Sequence, residues 1–320
     1  LAVEIRELLL SANITVVSLP DLEPVVNILD PEKMRIPHFY VYDAYSPELA
    51  ALRTKMKTLK MDEKTEERVL DQLQFEHSEL EDRIREKLSE QIHPYKKEIN
   101  EALVNTATLD ILLAKAQQTI DMRLCKPEIS TSTTRYIKIF NPQVKEVLWQ
   151  EGKKFQAIDI DIEQGACLIT GANMAGKSVI LKTVALAQTL FQFGFYVPAE
   201  QAEIALVDEV LLCIGDEQSE LSGLSSYASE MLRVNAIVQD VKAGKNALIL
   251  IDELARTTNP TEGKAIANAM LDFLTDKGAR SLITSHYSGI KARCKKMRVK
   301  GFVKEYVKGQ LTINNINEFI

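Results

Sequence analysis

The sequence is short of positive charge and of long apolar runs. Its net charge is −6 over 320 residues, which argues against the broad basic surface of a non-specific DNA-binding protein but leaves room for a local patch. No stretch reaches the roughly eighteen consecutive apolar residues of a membrane span, and no basic-then-apolar leader begins the chain. We therefore expect a cytoplasmic protein without membrane contact.

Cysteine is also scarce, and the four cysteines form no Cys-x-x-Cys pair. This wide spacing favours reduced thiols over a disulfide framework or cysteine-bound zinc. The four are Cys125, Cys167, Cys213 and Cys294. The length of the chain favours about two domains, each with enough residues for a core.

The first part of the chain has the pattern of a helical domain. Residues 39–42, Phe-Tyr-Val-Tyr, predict a short strand. The segment Ser46-Pro47-Glu48 then predicts a helix start, with the cap at serine, proline at the first position and an acid in the first turn. From Val69 to Leu103, apolar residues recur three, four or seven positions apart, which indicates a narrow seam for a partner helix.

Pro94 is expected to end or kink this long helix near His93, because proline cannot donate to the helical ladder. A second apolar helix follows it. We therefore predict an all-α core and lever domain over residues 1–127, with its long helices at about 46–122, a segment that we call the lever.

The segment Gly171 to Ser178 matches the phosphate-binding pattern G-x-x-x-x-G-K-[ST], between a predicted strand and a predicted helix. Glycines let backbone N–H groups close around phosphates, and the following helix directs its positive end toward them. Lys177 adds a cation, and Ser178 offers a hydroxyl to Mg²⁺. The residues expected to contact ATP are Gly171, Ala172, Asn173, Met174, Ala175, Gly176, Lys177, Ser178 and Val179. The sequence therefore predicts an α/β P-loop nucleotide-binding domain over residues 128–320.

Two acids follow the apolar run 247–251, which predicts a buried strand ending in Asp252 and Glu253. We expect the end of this strand beside the phosphate loop, with Asp252 holding Mg²⁺ and Glu253 activating the attacking water. A further predicted strand, residues 280–284, leads to His286. This histidine is placed to sense the terminal phosphate or to polarise water.

Together these motifs resemble the MutS-type ATPases of the ABC class. The matching segments are Thr170–Ser178, Gly194–Ala199, Ser225–Met231, Ile251–Leu254 and Thr284–Tyr287, in the family's order and spacing. The resemblance implies a homodimer or paralogous heterodimer, joined through the ATPase domains, in which two subunits sandwich ATP. It also implies that Ser225 completes the partner's site in trans and that Phe155 packs on the adenine.

The resemblance leaves two clients open. DNA, mismatched DNA included, is implied by the family, although the sequence has no evident mismatch-reading module and too few lever residues for the usual DNA clamp. The stretch Glu253–Pro260 resembles a branch linked to a B12-dependent lysine aminomutase, which implies a chaperone that reactivates that metabolic enzyme. Between residues 60 and 101, thirteen acidic residues against eight basic ones disfavour duplex DNA.

Overall fold

The computed structural model describes residues 1–61, 67–171, 176–214, 226–256 and 258–299. The chain divides into two compact units, Leu1–Ala114 and Lys115–Ile320. The division falls inside one long helix, so the domain boundary at residues 127 and 128 stays a prediction. Over the described residues, no helix combines the length and the apolar character needed to cross a membrane.

Helices make up the first unit. Its elements are α1 (Ala2–Ser11), α2 (Glu23–Leu29), α3 (Pro47–Lys60), α4 (Glu67–Ile92) and the first part of α5 (Lys96–Met122). The predicted helix start is confirmed, since the Ser46 hydroxyl accepts from the backbone N–H of Leu49 at 3.4 Å and Pro47 opens α3. The predicted break is confirmed as well: α4 ends at Ile92, and a 3-10 turn containing Pro94 leads to α5.

Part of the predicted seam is buried, at Leu73, Ile84 and Leu88 of α4. The last two pack with Val41 and Leu49 in a small core of this unit. The strand predicted at residues 39–42 is wrong, because this segment pairs with no described strand. Val41 and Tyr42 are instead buried while Phe39 and Tyr40 are exposed. The carbonyl of Val41 accepts from Nη1 of Arg53 at 2.7 Å.

Among its described residues, the second unit has two sheets. Its strands are β1 (Glu128–Ser130), β2 (Thr134–Ile139), β3 (Ile158–Ile162), β4 (Ala166–Thr170), β5 (Gln201–Ala205), β6 (Glu209–Cys213), β7 (Ala247–Ile251), β8 (Ser281–Thr284) and β9 (Lys295–Arg298). A mixed four-stranded sheet has the order β1-β5-β2-β3, and a parallel five-stranded sheet has the order β6-β7-β8-β4-β9. The remaining helices are α6 (Pro142–Gln150), α7 (Lys177–Gln192), α8 (Ser226–Lys242) and α9 (Pro260–Asp276).

Both faces of the parallel sheet are covered, which explains why β7 is a continuous apolar run. Side chains alternate between faces along a strand. Ile249 and Ile251 therefore pack with α8 and α9, whereas Leu248 and Leu250 pack with α7 and the four-stranded sheet. All five residues of β7 are buried, as a strand covered on both faces requires.

The sheet order corrects one expectation about the site. We expected β7 to end beside the phosphate loop, but β8 lies between β7 and β4, the strand that leads into the loop. Neighbouring strands are about 4.8 Å apart, so the ends of β4 and β7 are separated by about 10 Å. The end of β8 thus occupies the centre of this edge, where Ile169 pairs with Thr284 and Ile251 with Ile283.

Candidate nucleotide-binding site

The phosphate loop joins β4 to α7 through two glycines in unusual backbone conformations. Gly171 has a φ of 155° and Gly176 a φ of 84°, and only glycine adopts such angles without strain. A Cβ on Gly171 would lie 3.2 Å from the Cβ of Val299, which explains the need for glycine there. Ala172, Asn173, Met174 and Ala175 lie outside the described residues.

Lys177 lies at the first position of α7 and is only 5% exposed. Its ammonium group donates to the carbonyl of Gly171 at 3.2 Å, so the side chain folds back toward the start of the loop. Ser178 and Val179 follow in the first turn of α7 and are half-buried. The positive charge and the N-terminal end of a sixteen-residue helix therefore coincide at the loop.

The two acids after β7 are joined through a residue of β8. The buried Thr284 hydroxyl donates to Oδ1 of Asp252 at 2.5 Å and accepts from the backbone N–H of Glu253 at 2.8 Å. The backbone N–H of Asp252 donates to the carbonyl of Cys213 at 2.9 Å, which ties the same turn to β6. These bonds fix both acids at the carboxyl edge of the parallel sheet.

Glu253 keeps its side chain partly accessible. The side chain is 24% exposed, and Oε2 lies 3.7 Å from Nη1 of Arg256. Its φ of 51° lies in the left-handed region, which is uncommon for residues other than glycine. A carboxylate that is held at its backbone and reached by solvent at its oxygens has the access to water that a general base needs.

The other predicted site residues are His286, Phe155 and Ser225. His286 is exposed just after β8, with its ring centroid 4.2 Å from that of Tyr287. Phe155 is half-buried in the loop before β3, and its contact with adenine stays a prediction. Ser225 lies outside the described residues, immediately before α8.

Two residues of the candidate site, Thr284 and Glu230, were not predicted from the sequence to have a role there. Thr284 was identified only as part of a motif, although it is the residue that joins Asp252 to Glu253. Glu230 of α8 accepts from the backbone N–H of Ala255 through Oε1 at 2.6 Å. Its place in the matching segment Ser225–Met231 was the available hint, but a contact between residues so far apart in sequence requires the fold.

The donor set fits a phosphate ligand with Mg²⁺. The buried Lys177 ammonium and the glycine-built loop provide for an anion. Across the described residues, no cluster of three or more His, Cys, Asp or Glu side chains is placed to hold a metal ion by itself. Mg²⁺ is commonly held by one or two carboxylates together with substrate phosphates, so Ser178 and Asp252 suit a metal that arrives with a nucleotide.

Comparison with known proteins decides the family. A family model described as MutS domain V matches residues 167–315, which include the phosphate loop, the Asp252–Glu253 pair and His286. The chain belongs to the MutS family. The resemblance to the MutS family is thereby confirmed, and the α/β sheets with parallel strands are consistent with the fold of MutS domain V.

Individual relatives of this MutS-family chain carry two names. It is 36% identical over 219 residues to an Endonuclease MutS2 of Caldanaerobacter subterraneus, an alignment covering 68% of this chain and 27% of the relative. It is 34% identical over 226 residues to an Endonuclease MutS2 of Lactiplantibacillus plantarum, with 70% and 28% covered. It is 34% identical over 213 residues to a DNA mismatch repair protein MutS of Chloroflexus aurantiacus, with 65% and 22% covered. The chain thus spans about a quarter of the length of these relatives.

Proposed function

We propose that this chain is an Mg²⁺-dependent ATPase that works as a nucleotide-gated dimeric switch. The observation that carries the proposal is the link through Thr284, which fixes Asp252 and Glu253 at one edge of the parallel sheet. The loop with Lys177 begins at the same edge. A phosphate cradle alone provides binding, whereas a cradle together with this pair of acids provides for hydrolysis.

Each residue has a distinct task in the proposed reaction. Lys177 and the loop amides bind the phosphates, and Ser178 and Asp252 hold Mg²⁺. The metal ion, when bound, neutralises negative charge on the phosphate oxygens. Glu253 accepts a proton from the attacking water while His286 orients that water or the terminal phosphate. The new P–O bond forms as the bond to the ADP oxygen breaks, giving ADP and inorganic phosphate.

The proposed switch needs two subunits, because each loop is completed from outside its own chain. Ser225 of one subunit and the N-terminal end of its α8 meet the terminal phosphate bound by the other subunit. This use of a helix end follows the same anion-binding logic as the phosphate loop. Phe155 contributes an aromatic face for the adenine. ATP binding then joins the two subunits, and hydrolysis releases them.

Two clients are candidates for the molecule on which the proposed switch acts. The DNA-repair names of the MutS relatives favour DNA, mismatched DNA included. The alternative is a chaperone that reactivates a B12-dependent lysine aminomutase. It is favoured by the stretch Glu253–Pro260, which resembles the branch linked to that enzyme. It is also favoured by the acidic charge between residues 60 and 101, a range with thirteen acidic and eight basic residues. Duplex DNA binding needs cations along the contact surface.

An ATP turnover assay tests the proposed activity. The wild-type protein is expected to release phosphate with Mg²⁺ present and to stop when EDTA removes the metal. Lys177→Met should abolish ATP binding, because the buried cation proposed to bind the phosphates is lost. Lys182→Met, at an exposed position of the same helix, is the matched control and should leave turnover unchanged. Absence of phosphate release by the wild-type dimer would refute the proposal.

A titration with DNA separates the two clients. Homoduplex and mismatched duplexes are titrated at several salt concentrations, because phosphate contacts weaken steeply as salt rises. Binding with preference for the mismatch would support DNA as the client. Absence of binding even at low salt would remove DNA and leave the protein client.

A further inference from the structure

The turn that follows β7 is held in an unusual backbone conformation. Two of its residues, Glu253 and Ala255, have left-handed φ angles of 51° and 59° although neither is glycine. The turn closes where the backbone N–H of Arg256 donates to the carbonyl of Glu253 at 3.1 Å. Such conformations persist only where the surroundings hold them.

Ala255 is held on both sides of its peptide backbone. Its N–H donates to Oε1 of Glu230 at 2.6 Å, and its carbonyl accepts from the hydroxyl of Tyr287 at 2.7 Å. Ala255 itself is fully buried, where hydrogen bonds with a carboxylate are strong. We call this set of contacts among Glu230, Ala255 and Tyr287 the Ala255 clamp.

Tyr287 is in turn held at both its backbone and its ring. Its N–H donates to the hydroxyl of Ser285 at 3.1 Å. Its ring lies against Gly263 of α9, where an added Cβ would come within 2.5 Å of the ring carbon that bears the hydroxyl. Glycine at position 263 therefore gives the ring the room that aims its hydroxyl at Ala255.

We propose that Glu230 and Tyr287 are positioning residues for Glu253, which they orient by holding Ala255 in its left-handed conformation. This inference rests on the proposed function, in which Glu253 is the general base. Thr284 fixes the N-terminal side of the turn and the Ala255 clamp fixes the C-terminal side. Because Glu230 lies on α8, the clamp also joins the base to the helix that follows Ser225.

The test separates orientation of the base from nucleotide binding. Tyr287→Phe removes only a hydroxyl, and Glu230→Met removes the acceptor at similar length. Each is expected to lower kcat about tenfold, the effect of losing one such hydrogen bond in the transition state. The Kd for ATP should stay unchanged. Glu230→Gln keeps an acceptor oxygen, so its kcat is expected to stay near the wild-type value, unlike that of Glu230→Met.

Matched controls show whether the effect comes from the clamp. The buried hydroxyl of Tyr136 has no hydrogen-bond partner among the described residues, so Tyr136→Phe should leave kcat unchanged. In an Ala255→Gly background, the fall caused by Tyr287→Phe should shrink, because glycine adopts a left-handed conformation without the clamp. An equal fall in both backgrounds, or a higher KM at unchanged kcat, would overturn the proposal.

Amide hydrogen exchange of residues 252–258 gives a readout that does not depend on ATP turnover. Tyr287→Phe and Glu230→Met should raise exchange in this turn about tenfold, and Tyr136→Phe should not, because exchange follows local opening. Unchanged exchange in the first two variants would overturn the clamp itself. Raised exchange in a protein whose wild type shows no phosphate release would overturn the role for Glu253 and the proposed function, while the clamp would stand.

Discussion

The hydroxyl of Thr284 donates to Oδ1 of Asp252 at 2.5 Å, across the boundary between two neighbouring parallel strands. The same oxygen accepts from the backbone N–H of Glu253 at 2.8 Å. One fully buried hydroxyl therefore sets the position of the proposed metal ligand and of the proposed base. The positions of both acids therefore depend on a residue of β8, a strand that has no acidic residue at its own end.

Thr284→Val is expected to damage both stability and turnover. Valine keeps the shape and suits a strand, but it leaves the carboxylate and a buried N–H without their partner. The free energy of unfolding should fall by about 2–3 kcal/mol, the cost of leaving buried polar groups unsatisfied. Urea denaturation and an ATP turnover assay measure the two effects.

Thr284→Ser is the control for that change, because it keeps the hydroxyl and removes only a methyl group. It should retain most of the turnover, with a small loss of stability from the missing methyl. If the serine variant lost as much turnover as the valine variant, packing rather than hydrogen bonding would hold the acids.

Cys167 is expected to make the stability of the fold fall at alkaline pH. Burial in β4 raises the pKa of its thiol to about 11 from the ordinary value of 9.0, while the nearby Lys295 acts in the lowering direction. As pH rises, the unfolded chain therefore loses this proton first. The thiol's contribution to stability is complete below pH 9 and is lost between about 9 and 11.

We therefore expect the free energy of unfolding of the wild type to fall more steeply above pH 9 than that of Cys167→Ala. The difference between the two proteins isolates this thiol from other groups that titrate in the same range. Urea denaturation at a series of alkaline pH values provides the measurement. Parallel curves for the two proteins would show that the thiol is not protected in the fold.

Mixing two inactive variants tests the site shared between subunits. Lys177→Met lacks a working loop but keeps Ser225, whereas Ser225→Ala keeps the loop. A mixed dimer then holds one site with both parts intact. We expect an equimolar mixture to recover about a quarter of wild-type turnover, because half of the dimers are mixed and half of their sites are intact. Recovery of no turnover would place both residues in one subunit's own site.

Much of the fold followed from simple patterns, but strand order did not. The apolar run 247–251 predicted β7, and Ser46 and Pro94 predicted a helix start and a helix break. Residues 39–42 have the pattern of a strand, but no described strand lies beside them, and a local pattern does not reveal its neighbours. For the same reason the position of β8 between β4 and β7 emerged only from the structure.

The site divides in the same way. Lys177, Asp252 and Glu253 were found because their tasks demand fixed residue types at fixed distances from strand ends. Thr284 and Glu230 were missed as functional residues because each acts through a hydrogen bond to a residue 25 to 32 positions away. Such contacts depend on how strands and helices pack, which the sequence motifs do not specify.

Single-turnover ATP hydrolysis by Glu253→Gln, compared with the wild type, tests whether Glu253 is the general base. Glutamine keeps the size of the side chain but cannot accept the proton of the attacking water. We predict that the variant binds ATP with unchanged Kd and hydrolyses it at least about a hundredfold more slowly, the lower end of what general-base catalysis contributes. Hydrolysis at the wild-type rate by Glu253→Gln would contradict the assignment of Glu253 as the base.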